Sequence, residues 1–154
     1  MYSVWLSDDE QRLWRAYLAM TRGLQAEMSR QLSRDCGLSL ADYDVLVALD
    51  ERTECRVKVL REVLGWEQSR LSHQLGRMRA RGLVTRAGTD EDRRGATVGL
   101  TDDGRAALKA AAPGHAELVH TVVFEGMSAQ QARALSHWTS VVLGRLDIAP
   151  NPRA

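Results

Sequence analysis

The chain has 154 residues, of which 44% are hydrophobic and 27% are charged, and its formal net charge is +1. This length suits one domain or one subunit of an oligomer, and the hydrophobic content excludes global disorder. A net charge so close to zero excludes a generally basic chain, so contact with nucleic acid would have to depend on local clusters of charge.

The first predicted element is a long amphipathic helix over residues 6–32. Ser7, followed three residues later by Glu10, forms a capping-box pattern at its start. The apolar residues that follow at steps of three and four are Leu13, Tyr17, Met20, Leu24, Met28 and Leu32. A second row, Trp14, Leu18 and Thr21, widens this stripe. An apolar face this broad indicates burial against more than one element, including another subunit.

The middle of the chain predicts a second helix after a break at Gly37, with Ser39 as its cap. Residues 56–84 then predict two short helices around a turn at Gly65, and the second of them ends at Gly82. Residues 83–88 and 95–100 read as two short β-strands on either side of a charged loop. Two short helices around a glycine turn, followed by a hairpin, predict a winged helix-turn-helix.

The C-terminal third predicts two more helices. Thr101 caps the first of them, and Pro113-Gly114 predicts a break or a kink within it. Ser128 and Gln131 form the capping pattern of the last helix. One face of that helix carries Leu135, Trp138, Val142 and Leu146. The predicted fold class is therefore mainly α with a small β-hairpin wing.

The second helix of the predicted helix-turn-helix has two different faces. At about 100° per residue, Leu71, Leu75 and Met78 share one face. Polar or small residues at the start of the other face suit base edges, and arginines further along suit guanine or phosphate. The stretch from Trp66 to Arg86 contains five arginines and a single acid. The candidate DNA-binding residues are Gln68, Ser69, Arg70, Ser72, His73 and Arg77. The alternative is an ordinary solvated helix face.

The predicted hairpin tip contains Arg93 and Arg94 directly after three acids. A tip beside a recognition helix lies over the neighbouring minor groove, where arginine is attracted by a narrow, electronegative surface. Asp92 or Asp90 would pair with one arginine and support the shape of the tip. The alternative is a plain loop of solvated charges.

Two stretches of the chain resemble the MarR family of transcriptional regulators. These are LGWEQSRLSHQLGRMRARGLV, residues 64–84, and TDEDRRGATVGLTDDGRAAL, residues 89–108. The second resembles the D-x-R wing motif of the family, here Asp92-Arg93-Arg94, running into an LT-x-x-G helix start. LSLADYDVLVAL, residues 38–49, also resembles the second helix of the family. The wing loop departs from the family pattern because it lacks the proline often found there.

The resemblance implies a homodimer that binds a pseudo-palindromic operator in double-stranded DNA. A cytoplasmic protein is expected separately, because no basic-then-apolar leader is found and the two cysteines form no CxxC pair. Residues 1–37 and 101–148 would form the dimerisation helices, residues 38–100 the winged helix-turn-helix lobe, and residues 149–154 a disordered tail. It also implies a repressor released by a small phenolic or otherwise aromatic ligand, or by an oxidant. For such a ligand we single out Trp14, which can stack on a ring, and Arg15, which can pair with a carboxylate. The alternative places Trp14 in the interface core and Arg15 in a salt bridge.

Two further hypotheses stay open at this point. One is a redox-responsive regulator switched through Cys36, and the other is a winged-helix interaction protein that does not bind DNA. Cys55 is expected to be an ordinary exposed or edge residue.

No catalytic motif is found in the sequence. The chain contains no G-x-S-x-G, no P-loop and no G-x-G-x-x-G, and its four histidines fall in no zinc-binding spacing. We therefore predict that the protein is not an enzyme and needs no cofactor or metal. No apolar run approaches the length of a membrane span, and no membrane partner is expected.

Overall fold

The computed structural model describes residues 5–50, 52, 54–88 and 95–148. In chain order its elements are α1 (Asp8–Cys36), α2 (Leu40–Asp50), β1 (Cys55–Arg56), α3 (Val57–Leu64), α4 (Gln68–Ala80), β2 (Val84–Ala87), β3 (Thr97–Leu100), α5 (Asp102–Val119), a π-helical turn (His120–Phe124) and α6 (Ala129–Arg145). The mainly helical fold with a small β-sheet agrees with the predicted fold class. Among these helices, none has both the length and the apolar character needed to cross a membrane.

The helix starts follow the predicted caps. Ser7 accepts a hydrogen bond from the backbone N–H of Glu10 at 3.3 Å, and the Glu10 carboxylate accepts one from the backbone N–H of Ser7 at 2.7 Å. Thr101 Oγ1 accepts from the backbone N–H of Gly104 at 2.9 Å. Ser128 and Gln131 form the same reciprocal pair at the start of α6. Each cap satisfies backbone donors that have no partner inside the helix, so short local patterns fix where these helices begin.

The core lies mainly within the α2–β3 region, and it is closed by α1 and α5. Leu32 of α1 and Ala111 of α5 are fully buried against it. The other buried hydrophobic residues are Leu38, Val45, Leu46, Ala48, Leu49, Cys55, Val57, Leu60, Leu71, Leu75, Met78, Leu83, Val84, Ala96, Val98 and Leu108. The helix-turn-helix is therefore held by packing against a core that α1 and α5 share.

The sheet contains the predicted hairpin and one strand that the sequence did not predict. β2 and β3 pair antiparallel, with Val84 opposite Leu100. β1 pairs with the other edge of β3 and places Cys55 opposite Val98. Of the two alternatives expected for Cys55, an exposed or an edge residue, the structure shows the second, because the residue is only 5% exposed but lies in an edge strand. Two residues are too short for a periodic signal, and long-range pairing therefore decides this strand.

The proline in the fifth helix does not break it. α5 runs from Asp102 to Val119 with Pro113 inside it. Gly114 lies close to α1, where a Cβ would come within 3.0 Å of the Gln31 side-chain nitrogen. Packing against α1 keeps this segment helical because tertiary contacts override a local propensity. The π-helical turn that follows α5 was also not predicted.

Candidate nucleic-acid interface

The turn between α3 and α4 gives the pair its helix-turn-helix geometry. Gly65 ends α3 in the left-handed region, with a φ of 63°, which a residue without a Cβ adopts at little cost. Arg61 O then accepts a hydrogen bond from the backbone N–H of Trp66 at 3.2 Å, and α4 begins at Gln68. The glycine turn predicted from the sequence is therefore present.

One face of α4 is anchored in the core. Leu71 and Met78 are 0% exposed and Leu75 is 1% exposed, as their angular spacing predicts. Away from that face the side chains of Ser69, Arg70, His73 and Arg77 are exposed, and Ser72 is half-buried. Gln68 is also exposed, but it lies three residues before Leu71, at the border of the buried face. The six candidate residues thus lie on a single helix whose other face fixes its position. This division is what a helix needs in order to enter the major groove as a rigid body.

Arg70 is braced near the start of α4. Its guanidinium carbon lies 4.1 Å from the centroid of the Trp66 ring, which is a cation–π geometry. Burial raises the pKa of Asp44 on α2, and the positive charge of Arg70 opposes that rise. Arg70 is therefore oriented by an aromatic ring before any ligand arrives, and its charge acts on a partly buried carboxylate.

A buried carboxylate connects α2, α4 and the end of α1. Asp42 is 2% exposed, and its Oδ2 accepts from Ser39 N at 2.9 Å and from Arg81 Nη1 at 2.6 Å. Arg81 Nη2 also donates to Gly37 O at 2.9 Å. Burial alone would raise the pKa of Asp42, but the Ser39 amide and Arg81 hold it below its ordinary value. Asp42 therefore remains an ionised hydrogen-bond acceptor inside the lobe.

The other carboxylate oxygen of Asp42 is connected through hydrogen bonds to an exposed side chain of α4. Gln74 is 2% exposed, and its Nε2 donates to Asp42 Oδ1 at 2.6 Å. Its Oε1 accepts a hydrogen bond from Arg77 Nη2. Gln74 was not among the residues predicted from the sequence. A signal was available, because Gln74 lies three residues after Leu71 and four before Met78, on the apolar face.

An aromatic cluster joins α1 and α6. The Trp14 and Tyr17 rings of α1 stack with centroids 5.7 Å apart, and Trp138 of α6 meets Tyr17 edge-on at 5.4 Å. Arg15 donates to Gln11 Oε1 at 3.1 Å. A cavity of about 270 Å³ is lined by Trp5, Leu6, Gln11, Trp14 and Arg15. The two candidate ligand residues therefore share a cavity, and every residue lining it comes from the N-terminal segment.

A larger cavity, of about 520 Å³, lies between α2 and α5. It is lined by Tyr43, Val47, Asp50, Arg105, Leu108, Lys109 and Ala112. Arg105 Nη1 contacts Asp50 Oδ1 at 3.3 Å. Next to this cavity the His115 ring packs on Tyr43, with centroids 4.4 Å apart, and burial lowers the pKa of His115. No residue of this cavity was predicted, because its walls come from two helices that are distant in sequence.

Comparison with known proteins decides the family. The sequence model of the MarR family matches residues 37–95. The chain is similar to Sco3205, a MarR-family transcriptional regulator from Streptomyces coelicolor whose crystal structure was determined in complex with DNA. The two sequences are 34% identical, and the structures superpose with a TM-score of 0.85 over 96% of each chain. The chain belongs to the MarR family.

Two further relatives agree with this assignment. AbsC, a MarR-family transcriptional regulator of Streptomyces coelicolor, is 31% identical, with a TM-score of 0.85 over 94% of this chain and 99% of its own. The uncharacterized HTH-type transcriptional regulator YfiV of Bacillus subtilis is 25% identical over 94% of this chain and 89% of its own. This MarR-family protein is therefore a DNA-binding transcriptional regulator and not an enzyme, as predicted from its sequence.

The described part of the wing of this MarR-family protein consists of its two strands, β2 and β3. Leu83 N donates to Met78 O at 3.0 Å, so the hairpin begins directly at the end of α4. Arg93, Arg94 and Asp92 lie outside the described residues, and their predicted roles at the tip stay predictions. Cys36, which is half-buried, and Cys55 are both free thiols.

Proposed function

We propose that this MarR-family protein is a homodimeric repressor that binds a pseudo-palindromic operator and is released by a small aromatic ligand. The observation that carries the proposal is the exposed polar face of α4, opposite a face that is fully buried. The similarity to Sco3205, whose crystal structure contains DNA, supports the same interpretation. The protein would place one α4 in the major groove of each half-site.

The base-reading role falls to the first part of α4. Ser69 and His73 are exposed and lie one helical turn apart, so both face the same stretch of groove. A hydroxyl and an imidazole are short groups that hydrogen-bond base edges. Gln68, Arg70, Ser72 and Arg77 complete the proposed surface. Arg93 and Arg94 would contact the adjacent minor groove, with Asp92 supporting the tip.

The dimer would be formed by the terminal helices. Large apolar side chains of α1, α6 and the last turn of the chain are exposed in the single subunit, namely Leu13, Trp14, Met20, Leu135, Trp138, Val141, Leu146 and Ile148. So many large apolar side chains exposed on the terminal helices are typical of a protein–protein interface. The isologous contact of a two-fold dimer would cover the same patch on both subunits.

Two cavities are candidates for the effector. Trp14 and Arg15 offer a ring to stack on and a cation for a carboxylate. The α2–α5 cavity offers Tyr43, Arg105 and Lys109 in a larger space, next to the lobe that carries α4. A ligand there would change DNA affinity only if it prefers one arrangement of α2 and α5 over another.

Selection of bound sites from random duplexes tests the proposal. We expect an inverted repeat whose half-site centres are about 10 base pairs apart, one turn of DNA. Recovery of duplexes with no inverted repeat would reject the dimeric operator, and no enrichment at all would reject sequence-specific binding.

The recovered operator allows the regulatory part to be tested. When it is placed over a promoter in a purified transcription assay, the protein should lower transcript yield, and an increase would reject repression. Aromatic carboxylates should then restore transcription. Arg15→Ala and Arg105→Ala variants separate the two cavities, because only the variant of the true site should lose the response.

A further inference from the structure

We propose that Asp42 and Gln74 position the Arg77 side chain, so that the DNA affinity of α4 depends on two buried residues that do not touch DNA. This inference rests on the proposed function of α4 as the recognition helix. Asp42 of α2 and Gln74 of α4 would act on a side chain of that helix, and its proposed base-reading face is not altered.

The chain of hydrogen bonds has a fixed direction. Asp42 Oδ1 can only accept, so the Gln74 amide must turn its nitrogen towards it. The amide oxygen of Gln74 is then presented to Arg77, which donates to it. In the reverse orientation the Gln74 amide oxygen would lie against the Asp42 carboxylate, and the two would repel each other. The Gln74 amide nitrogen would then face the Arg77 guanidinium, so that two donors would meet. The carboxylate therefore determines that Gln74 can hold a guanidinium.

Among the residues that the structure describes, Gln74 is the side chain that hydrogen-bonds Arg77. Arg77 is exposed and lines a cleft of about 550 Å³ between α1 and α4, which Gln74, Asp42 and Arg81 also line. A long, mobile side chain such as that of Arg77 loses rotamer freedom when it binds DNA, and this entropy cost lowers the affinity that the contact contributes. A guanidinium that is already oriented loses less. Only one of its donors goes to Gln74, so others remain for a guanine edge or a phosphate oxygen.

Arg81 provides a matched control on the same carboxylate. Like Gln74, Arg81 donates a hydrogen bond to the Asp42 carboxylate at 2.6 Å. Arg81 binds the other oxygen and reaches Gly37 O at the end of α1. Loss of either donor weakens the buried network, but only loss of Gln74 removes the acceptor of Arg77.

The test compares Gln74→Met with Arg81→Met in the full-length protein. Methionine has a similar length to glutamine and offers no strong hydrogen bond at this site. Affinity is measured for the duplex recovered by selection and for a scrambled duplex of the same length. We expect Gln74→Met to weaken binding to the selected duplex by roughly three- to ten-fold, the range of one hydrogen bond. In the Arg77→Ala background the same change should have no further effect.

The salt dependence separates the two possible acceptors on DNA. If Arg77 meets a base edge, Gln74→Met lowers the preference for the selected duplex and leaves the salt slope unchanged. If Arg77 meets phosphate, both duplexes lose affinity and the slope falls. Arg81→Met should leave the preference between the two duplexes unchanged. Either pattern supports the inference when the loss disappears with Arg77→Ala.

Three results would overturn the inference. The first is that Gln74→Met binds the selected duplex as tightly as the wild type. The second is that Gln74→Met still lowers affinity in the Arg77→Ala background. The third is that Arg81→Met lowers the preference for the selected duplex as Gln74→Met does. If Gln74→Met does not fold, Asp42→Asn tests the same point. An asparagine amide that donates to Gln74 Oε1 would turn that oxygen away from Arg77, so the same loss is expected. A wild type without preference for any duplex would instead reject the proposed function itself.

Discussion

Gly104 of α5 packs directly against the backbone of Leu83, the residue that precedes β2. A Cβ on Gly104 would overlap the carbonyl oxygen of Leu83 and would lie 3.0 Å from the carbonyl carbon. The same carbonyl oxygen accepts a hydrogen bond from Thr101 N at 3.2 Å, and Thr101 Oγ1 donates to Gly82 O at 2.6 Å. The start of the wing and the start of α5 are therefore joined as one unit.

This contact predicts the effect of adding one methyl group. Gly104→Ala should lower the free energy of unfolding by about 1–3 kcal/mol or more, because two backbone segments would have to separate. Gly76→Ala is the control, since its Cβ meets nothing within 4 Å and alanine favours a helix by about 1 kcal/mol. Urea unfolding at one fixed protein concentration measures both. An unchanged midpoint for Gly104→Ala would show that the backbones separate easily.

The exposed residues at the start of α4 should determine which operator is preferred. Ser69→Ala or His73→Ala should cost about 1–3 kcal/mol on the selected duplex, because each removes a group proposed to read a base edge. Binding to scrambled DNA should hardly change, since phosphate contacts are untouched. Binding titrations on both duplexes measure this difference. Equal losses on the two would mean that another face of α4 meets the bases.

The wing arginines should contribute to binding through charge. Replacing both Arg93 and Arg94 with alanine should weaken operator binding and flatten the dependence of log affinity on log salt by roughly one contact per arginine near phosphate. Asp92→Ala should cost less, and most of its effect should vanish in the double-arginine variant. A salt titration of the variants tests this. An unchanged affinity and slope would leave TDEDRRG as a plain solvated turn.

The apolar surface of α6 should hold two subunits together. We expect the wild type to be a dimer in light scattering and Val141→Asp to shift it to monomer or aggregate, because a carboxylate would be buried in an apolar contact. Val63→Asp is the matched control, since Val63 is similarly exposed but belongs to α3, which packs on α2 and β1. A monodisperse wild-type monomer would reject the dimer.

His115 should make stability depend on pH. Burial lowers its pKa, and its Nδ1 has no hydrogen-bond partner within the described residues. Below about pH 6.5 the unfolded chain therefore binds a proton more readily than the folded one. The stability present above that pH is lost as the pH falls towards the folded-state pKa, by at most about 1.4 kcal/mol per pH unit.

Replacing the ring removes this titration. His115→Phe keeps an aromatic contact with Tyr43 and should flatten the loss of stability below about pH 6.5. His137→Gln, at an exposed histidine of α6, serves as the control and should leave the loss unchanged. Thermal unfolding across this pH range measures both variants. If His115→Phe loses as much stability on acidification as the wild type, groups other than His115 cause the loss.

The sequence by itself determined the elements that depend on neighbours within about one helical turn. Ser7 with Glu10 and Ser128 with Gln131 start their helices where the local pattern indicates. The buried face of α4 follows from the spacing of Leu71, Leu75 and Met78, because a regular helix converts spacing into direction. The MarR resemblance, and with it the fold class, rested on such contiguous stretches.

Only the tertiary structure decided the features that join distant parts of the chain. Asp42 meets Gln74 and Arg81, which are 32 and 39 residues away, and no local period reports such a contact. β1 exists because β3 pairs with it, and α5 continues past Pro113 while α1 packs beside it. In each case the free energy comes from desolvation and hydrogen bonding between separate elements, and these terms take effect only when the chain has folded.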